Sequence, residues 1–467
     1  MHIGGREVVT GRPLKIELPY DGSEVATIYE AGAEQVEAAV QAAHKAARVM
    51  RELTLDERAT ILRSARDKVL ERSEELAMAL SSESGKPIRE ARAEVGRAAE
   101  TLLFSAEEAH RLCGEVIPAD ASPSGKGRWA MTLREPVGVI AAITPFNFPL
   151  NLAMHKIGPA IAAGNAVVHK PASATPVTGL MMAGIFEESG LPAGALNVIT
   201  GPGGLVGDLL VSHPKVAMIT FTGSPDVGLH IRSLAGMKRV TLELGSNSAV
   251  IIEEDADLDA AVPRCVAGSF ANSGQVCISV QRIFAHKRVH SELLDRLVDG
   301  ARKLRIGHPH EPSTEISSLI TVKEAERVEA WVEEAGRAGA KVVTGGARRR
   351  ATVEPAILSE VPAQVKLSCK EVFGPVVAVN SCGSLEEAIE MVNASEYGLQ
   401  AGIYTRDIQK AFWAARQVHV GGFLINEVPA YRLDQMPYGG VKLSGMGREG
   451  PKYAVEEMTE VKLVCWR

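Results

Sequence analysis

Cys277 is the residue whose type and surroundings first suggest catalysis, because small and polar residues flank it between Ala271 and Arg282. A free thiol has a pKa of ~8.5, and its small thiolate fraction at neutral pH is strongly nucleophilic. A buried cysteine that packs as a small apolar side chain is nevertheless the commoner case. Cys277 is therefore a candidate nucleophile whose support must come from other residues.

Two polar residues supply that support. Glu243 ends an apolar run, where burial would raise the pKa of its carboxyl and suit it to general-base work, typically worth ~10²–10⁴ in rate. Asn147 lies in a loop between Pro145 and Pro149, and its amide can donate to a developing oxyanion, a contact worth ~10²–10³. Two alternatives stay open at this point: Asn147 as a helix cap, and Glu243 as a buried acid satisfied by backbone donors.

Alternating strands and helices must position these residues. After helical patterns at 33–50, 55–84 and 87–112, short β-branched runs predict strands at 137–143, 166–169, 196–199, 217–221 and 239–244. A second alternating block runs from 249 to about 426. This pattern is typical of βαβ units and predicts an α/β fold with two parallel-sheet domains, the second of which carries Cys277.

Three loops at predicted strand ends are suited to a nucleotide. They are residues 169–173, 201–204 and 221–224, and the carboxyl ends of parallel strands present backbone N–H groups to phosphate. None contains Gly-x-Gly-x-x-Gly, and a glycine at such a place is often only a turn residue. Three such loops in one sheet favour a nucleotide site.

Composition excludes several classes of protein. The 467 residues exceed the size of a single core, and 46% hydrophobic and 23% charged residues with a net charge of -6 describe a globular protein without the basic footprint of a nucleic-acid binder. Six cysteines without a Cys-x-x-Cys pair indicate a reducing compartment and no metal site. No apolar run reaches the ~20 residues of a membrane span, and the N-terminus lacks a signal-peptide core. We expect a cytoplasmic protein.

Two extended segments suggest self-association. Residues 114–134 are rich in proline, glycine and serine and end in an extended stretch, and residues 458–466 alternate like an edge strand. Exposed strand edges are commonly covered in oligomers. The predicted assembly is a homodimer or homotetramer.

Seven segments, in this order, resemble the signature segments of the NAD(P)-dependent aldehyde dehydrogenase superfamily. They are Pro-Phe-Asn-Phe-Pro at 145–149, Lys-Pro-Ala-Ser at 170–173, Phe-Thr-Gly-Ser at 221–224, Leu-Glu-Leu-Gly at 242–245, Gly-Gln-Val-Cys at 274–277, Glu-Val-Phe-Gly-Pro at 371–375 and Pro-Tyr-Gly-Gly at 437–440. The resemblance covers essentially the whole chain. It is nearest to the small-aldehyde branch that includes lactaldehyde dehydrogenases.

The resemblance implies a mechanism and a domain organisation. Cys277 would attack the aldehyde, Asn147 and the Cys277 N–H would hold the oxyanion, and Glu243 would activate the water that hydrolyses the resulting thioester. The implied domains are a dinucleotide-binding domain (1–113 and 137–245), a catalytic domain (246–443) and an oligomerisation arm and tail (114–136 and 444–467).

The cofactor site is also implied by the resemblance. Lys170 and Glu371 would hold the ribose hydroxyls, Phe373 would lie beside the nicotinamide, and Gly223 and Ser224 match the pyrophosphate segment. Thr144, Pro145 and Ser173 complete the predicted cofactor-binding set.

The sequence departs from the family pattern at two places, and the first of them bears on the choice of cofactor. Many NAD-selective relatives have a glutamate at the place of Ser173, where it would repel a 2′-phosphate. We therefore predict that NADP is accepted beside NAD, and a preference for NADP is the stronger form of this prediction. Ser246 and Asn247 replace the commoner Gly-Lys, and the sequence assigns no effect to that change.

The substrate prediction rests on Arg432 and His155. Arg432 lies five residues before Pro437, at a position that resembles the substrate-pocket wall, and a guanidinium there could bind a carboxylate, sulfonate or phosphonate. The alternative is a salt bridge to Asp434. His155 stands where many relatives have tryptophan and indicates a polar pocket, unless it is a satisfied core histidine. The predicted substrate is a short polar aldehyde of the lactaldehyde or glyceraldehyde kind, with anionic semialdehydes and sulfo- or phosphono-aldehydes included.

Two rival functions remain. A CoA-acylating semialdehyde dehydrogenase would share the fold, although relatives of that type generally lack the base that Glu243 supplies. A non-catalytic protein of the same fold would have no need for Cys277, Glu243 and Asn147 together.

Overall fold

The first sheet is built around five parallel strands in the computed structural model, which describes residues 1–467. In sheet order its strands are Arg6–Glu7, His2–Ile3, Leu196–Val198, Ala166–Lys170, Val139–Ile143, Met218–Thr222, Arg239–Glu243 and Gly445–Met446. The five predicted strands are confirmed with ends shifted by at most two residues. The chain order reverses between Val139–Ile143 and Met218–Thr222, and ligands of such sheets bind outside the carboxyl ends at that place.

Seven strands form the second sheet, and all but the first run parallel. In sheet order they are Lys341–Thr344, Ala356–Ser359, Val376–Cys382, Arg282–His286, Ala249–Ile252, Gln400–Tyr404 and Gly422–Ile425. The apolar cores on its faces include no residue of the first sheet's core. The predicted α/β architecture with two parallel sheets is confirmed.

Helices cover both sheets. They are Ala33–Glu52, Leu55–Glu71, Ser73–Ser84, Ile88–Arg111, Asn151–Ala162, Val177–Glu188, Asp208–Ser212, Pro225–Leu234, Leu258–Phe270, His290–Arg302, Val322–Arg337, Lys366–Cys369, Leu385–Asn393, Ile408–Gln417 and Pro451–Glu457. No helix is both long and apolar enough to cross a bilayer. Three further strand pairs are Pro13–Glu17 with Glu24–Tyr29, Arg348–Arg349 with Thr352–Val353, and Tyr397–Gly398 with Val441–Lys442.

The continuous helix predicted over 55–84 is wrong. The chain breaks at Arg72, whose φ of -100° and ψ of 23° are not helical. Both resulting helices bury their apolar residues, and helix-forming residues continue across the break, so the hydrophobic pattern carries no signal of it.

The predicted arm and tail form one antiparallel sheet. Trp129–Pro136 pairs along its whole length with Thr459–Trp466, and Val116–Ile117 pairs on its other edge. Trp129, Leu133, Val461, Leu463 and Trp466 are exposed on this arm sheet. Several large apolar side chains therefore remain uncovered within one chain.

Residues 444–458 are not part of that arm sheet. Gly445 and Met446 pair with the edge of the first sheet at Leu242 and Glu243, and the helix Pro451–Glu457 packs into the first core. The predicted tail of 444–467 is therefore divided, and only Thr459–Trp466 joins the arm. The first part instead brings Glu449 next to the end of the first sheet.

A buried ion pair sets the position of the helix Asn151–Ala162. The side chains of Lys86 and Glu94 are fully buried and bond each other. The Glu94 Oε1 atom also accepts from the backbone N–H groups of Leu150 and Asn151, at 3.0 and 3.1 Å. Glu94 thus satisfies two N–H groups at the start of the helix that follows the Asn147 loop.

We expect Glu94→Gln to lower the free energy of unfolding by about 3–5 kcal/mol, because it leaves the Lys86 ammonium buried without the carboxylate that it bonds. Chemical denaturation followed by circular dichroism measures this loss. Arg92→Gln is the control, since Arg92 and Glu74 form an exposed pair whose loss should cost no more than about 1 kcal/mol. Equal losses in the two variants would contradict this account of the pair.

Candidate active site

A cleft of about 550 Å³ lies where the carboxyl ends of the first sheet face the second domain. Its wall combines strand ends of the first sheet with loops of the second domain, namely Pro145, Phe146, Asn147, Leu152, Ala174, Thr222, Gly223, Ser224, Glu243, Leu244, Gly245, Cys277, Ile320, Thr321, Lys323, Glu324, Arg327, Glu371 and Phe373. The three predicted catalytic residues therefore meet in one cleft.

The loop that carries Cys277, residues 271–277, has an unusual backbone. Asn272, Ser273 and Gly274 have φ values of 48°, 53° and 74°, in the left-handed region. At Gly274 a Cβ atom would lie 2.0 Å from the Gly374 carbonyl oxygen, so only glycine fits. The Asn272 N–H donates to Glu90 at 2.7 Å, and its side-chain amide donates to the Asn147 carbonyl at 3.2 Å. These contacts fix the nucleophile loop against the Asn147 loop.

The Cys277 sulfur lies 2.9 Å from the Tyr438 hydroxyl oxygen. Burial raises the pKa of the thiol to about 11, against the opposing effects of this hydrogen bond and of the Arg432 charge. The thiol is consequently protonated at neutral pH in this structure, and a base is needed to activate it.

Asn147 holds the backbone just before the cysteine. Its Nδ2 atom donates to the Gln275 carbonyl at 2.9 Å, which leaves the second amide hydrogen free for a ligand. The helix that follows begins at Asn151 without a side-chain cap, so the interpretation of Asn147 as a helix cap is wrong.

Glu243 is buried and neither of its carboxyl oxygens has a hydrogen-bond partner in the protein. The alternative of an acid satisfied by backbone donors is therefore wrong. Burial and the negative charge of Glu449 raise the pKa of Glu243 well above its usual value, although Arg432, Lys156 and Arg448 oppose them. An unpartnered carboxyl with a raised pKa suits proton transfer near neutral pH.

Glu449 and Lys156 form a second buried pair behind Glu243. The Lys156 Nζ atom lies 2.5 Å from Glu449 and 2.7 Å from the Thr222 hydroxyl. Burial opposes ionisation of Glu449, yet Lys156 and Arg432 lower its pKa to about 2. Sequence reasoning missed this pair, and the one signal was a lysine within a largely apolar helix.

Arg432 is nearly buried beside Tyr438. Its Cζ atom lies 3.7 Å from the centre of the Tyr438 ring, and its Nη2 atom lies 3.4 Å from Glu449 and 3.3 Å from the nearer His155 nitrogen. The predicted alternative of a salt bridge to Asp434 is not formed, and the Nε atom of Arg432 has no partner. Arg432 does not line the cleft wall described above.

His155 is fully buried between Asp434 and Arg432. Burial and Arg432 lower its pKa to about 4, so the ring is neutral and its Nε2–H donates to Asp434 at 2.8 Å. Asp434 also accepts from Asn151 and, through both carboxylate oxygens, from Arg97. His155 is thus a satisfied core histidine in a polar network. Arg97, one third exposed, was missed because its helix shows no catalytic pattern.

Of the predicted cofactor residues, Pro145, Gly223, Ser224, Glu371 and Phe373 line the cleft. Glu371 accepts from the Ser246 N–H at 3.0 Å, and burial raises its pKa to about 7. A Cβ atom at Gly245 would lie 2.6 Å from the other Glu371 oxygen. The Ser246–Asn247 departure has a structural role here, since the Asn247 side chain bonds the Ser368 carbonyl and the Ser395 hydroxyl.

Thr144, Lys170 and Ser173 lie outside the cleft wall. The Thr144 hydroxyl bonds His169 at 2.9 Å, and the Ser173 hydroxyl donates to the Gly201 carbonyl at 2.9 Å. Lys170 is buried with a single partner, the Pro171 carbonyl, and burial lowers its pKa to about 8. A buried ammonium with one neutral partner can accept further polar ligands.

These residues fit a dinucleotide. Ser224 caps the ten-residue helix Pro225–Leu234, whose free N–H groups begin at the cleft and suit a phosphate. The Glu371 carboxyl and the Lys170 ammonium can bond hydroxyl groups of a ribose, and Phe146 and Phe373 offer aromatic surface, with ring centres 5.7 Å apart.

Comparison with known proteins agrees with this geometry. Residues 9–464 match the aldehyde dehydrogenase family. The chain is 48% identical to the 3-sulfolactaldehyde dehydrogenase of Priestia megaterium over 99% of this chain and 97% of that protein. It is 40% identical to the lactaldehyde dehydrogenase of Methanococcus aeolicus over 99% of both chains.

A solved structure extends the comparison to the fold. The crystal structure of a glyceraldehyde-3-phosphate dehydrogenase from Methanocaldococcus jannaschii complexed with NADP superposes with a TM-score of 0.94, with 40% identity and coverage of 98% of this chain and 100% of that one. The predicted NAD(P)-dependent oxidation of an aldehyde is thereby confirmed, and the chain belongs to the aldehyde dehydrogenase family.

Proposed function

We propose that the protein oxidises a short aldehyde that carries an anionic group to the carboxylic acid, with NADP or NAD as the hydride acceptor. The observation that carries the substrate class is the state of Arg432 beside the catalytic residues. Its guanidinium is nearly buried, its one carboxylate partner is Glu449 at 3.4 Å, and its Nε atom has no partner. An anionic group of a substrate would supply the missing acceptor.

The chain's own residues support a thioester mechanism. Glu243 takes the thiol proton, directly or through water, and the Cys277 sulfur attacks the aldehyde carbon to give a thiohemiacetal. The free Asn147 amide hydrogen and the Cys277 N–H stabilise the oxyanion. When bound, the nicotinamide supplies the hydride acceptor, so the adduct becomes a thioester on Cys277. Once Glu243 has released the first proton to solvent, it takes a proton from the water that attacks the thioester carbon, and the acid leaves as the sulfur is freed as a thiolate.

Names of the relatives support an anionic substrate. The bacterial relative acts on 3-sulfolactaldehyde and the solved structure is that of a glyceraldehyde-3-phosphate dehydrogenase, whereas the methanogen relative acts on neutral lactaldehyde. A sulfonate, phosphate or carboxylate two or three bonds from the aldehyde would place its charge near Arg432. The CoA-acylating alternative is disfavoured because the Glu243 carboxyl is present and unpartnered.

We expect Arg432→Met to lower kcat/KM for an anionic aldehyde relative to neutral lactaldehyde by about 10–100-fold, because a charged hydrogen bond is lost. Steady-state kinetics with both aldehydes on the same preparation measure this ratio. Arg264→Met is the matched control. Arg264 also pairs with a glutamate, and its Cζ atom lies 6.0 Å from the ring centre of Tyr431. An unchanged ratio in Arg432→Met would reject the anionic substrate.

The pH dependence of turnover should follow Glu243. Its pKa is raised and its deprotonated form is the base, so activity should rise as the pH passes upward through that pKa. Glu449→Gln removes a charge that raises this pKa, and the acid limb of the profile should move to lower pH. Glu253→Gln, which alters a pair between another buried glutamate and the partly exposed Lys410, should leave the limb in place. A shift to higher pH in Glu449→Gln would contradict the assignment.

We further propose that NADP is accepted because Ser173 offers no negative charge to a 2′-phosphate. Ser173→Glu should reduce kcat/KM with NADP by at least tenfold and spare NAD, since the carboxylate would repel the phosphate. Kinetics with each cofactor test this, with Ser173→Gln as the uncharged control. A hundredfold preference of the native protein for NAD would refute the proposal.

The proposed assembly is a homodimer or homotetramer formed through the arm sheet, whose exposed Trp129, Leu133 and Leu463 would be covered by a second copy. Sedimentation of the native protein as a monomer would reject it. We also propose a cytoplasmic location, in keeping with six free cysteines.

A further inference from the structure

Tyr438 is held rigidly next to the reacting sulfur. Its backbone N–H and carbonyl pair with those of Glu449, at 3.0 and 2.7 Å, and its side chain is buried. The hydroxyl ends 2.9 Å from Cys277 Sγ, and the Arg432 guanidinium covers the ring at 3.7 Å. No other protein side chain bonds that hydroxyl, so its hydrogen bond is committed to the sulfur.

A thiolate formed in this site needs a donor. Cys277 lines the cleft and packs against a small apolar cluster of Tyr438, Ile278 and Leu399, whose aliphatic side chains offer no donor to an anion. The charged groups that act on it are Glu371 and Glu243, which disfavour a thiolate, and Arg432, which favours one. A phenol hydroxyl is the one neutral donor in contact.

The guanidinium over the ring makes that hydroxyl a better donor. A cation on the face of an aromatic ring is attracted to its π electrons and draws them away from the substituent. Burial, the main cause, raises the pKa of Tyr438 well above its usual value, so the phenol keeps its proton at working pH. A thiolate has no hydrogen to donate, so the Tyr438 O–H is the donor once the thiol is ionised.

We propose that the Tyr438 hydroxyl donates to the Cys277 sulfur and stabilises its thiolate, which makes Tyr438 a catalytic residue and gives Arg432 a positioning role through the Tyr438 ring. This inference rests on the proposed function in one respect, that Cys277 is the nucleophile. It adds a donor to the sulfur itself, separate from the contact that Asn147 offers to the oxyanion. Glu243 remains the group that removes the proton.

The test is the pH profile of Cys277 alkylation by iodoacetamide, followed by mass spectrometry of the peptide that contains Cys277. Tyr438→Phe keeps the ring and its contact with Arg432 but removes the hydroxyl. We expect the apparent pKa of the thiol to rise by at least about one unit, and alkylation near pH 7 to slow by at least about tenfold. Tyr404→Phe is the matched control, because Tyr404 is buried and its hydroxyl has no partner.

Arg432→Lys is the second variant and keeps a cation with a weaker ring contact. It should raise the apparent pKa of the thiol by less than Tyr438→Phe does. An unchanged profile in Tyr438→Phe, or faster alkylation, would overturn the inference, the latter because it would mean that the hydroxyl restrains the sulfur.

Different results would refute the proposed function and the proposed role of Tyr438. A Cys277→Ser variant that still oxidises aldehydes would refute the proposed function. An inactive Cys277→Ser variant, combined with an unaltered alkylation profile in Tyr438→Phe, would refute only the role of Tyr438.

Discussion

Desolvation of ionisable groups is the constraint on which this site depends. Cys277, Glu243 and Glu371 all have pKa values raised by burial, so each is held in its protonated form more strongly than in water. Lys170 and His155 are affected in the opposite direction, toward the neutral form. A cleft built in this way favours the neutral forms of its reactive groups, and it strengthens every electrostatic contact that they make.

The few buried side chains that stay charged at this site are paired with residues from distant parts of the chain. Glu449 belongs to the segment that returns to the edge of the first sheet, and Lys156 belongs to the helix that Glu94 positions. Arg432 and Asp434 are two residues apart and both contact His155, yet Arg432 pairs with Glu449 and Asp434 pairs with Arg97. Asn147 and Cys277 thus lie on loops and Glu243 ends a strand, while the charges that tune them come from the helix Asn151–Ala162, from the returning segment and from the loop that carries Arg432.

Much of this could be predicted from the sequence. The strand ends that carry Glu243 and Asn147 follow from β-branched runs, and the place of Cys277 follows from its flanking residues and the order of seven segments. The break at Arg72 was missed because helix formers continue across it. The pairing of Lys156 with Glu449, the partners of Arg432 and the contact of Tyr438 with the sulfur were missed because long-range tertiary packing decides them, and no local pattern reports such packing.

The close approach of Gly274 to the Gly374 carbonyl couples the loop of the nucleophile to the loop of the predicted cofactor residues. Gly274 is followed in the chain by the thiol at 277, and Gly374 directly follows Phe373, which lies close in sequence to the carboxylate at 371. With no space between the two backbones, neither segment can move toward the other. The spacing between the sulfur and the dinucleotide side of the cleft is therefore set by a contact of main chain with main chain, which is stiffer than any contact between side chains.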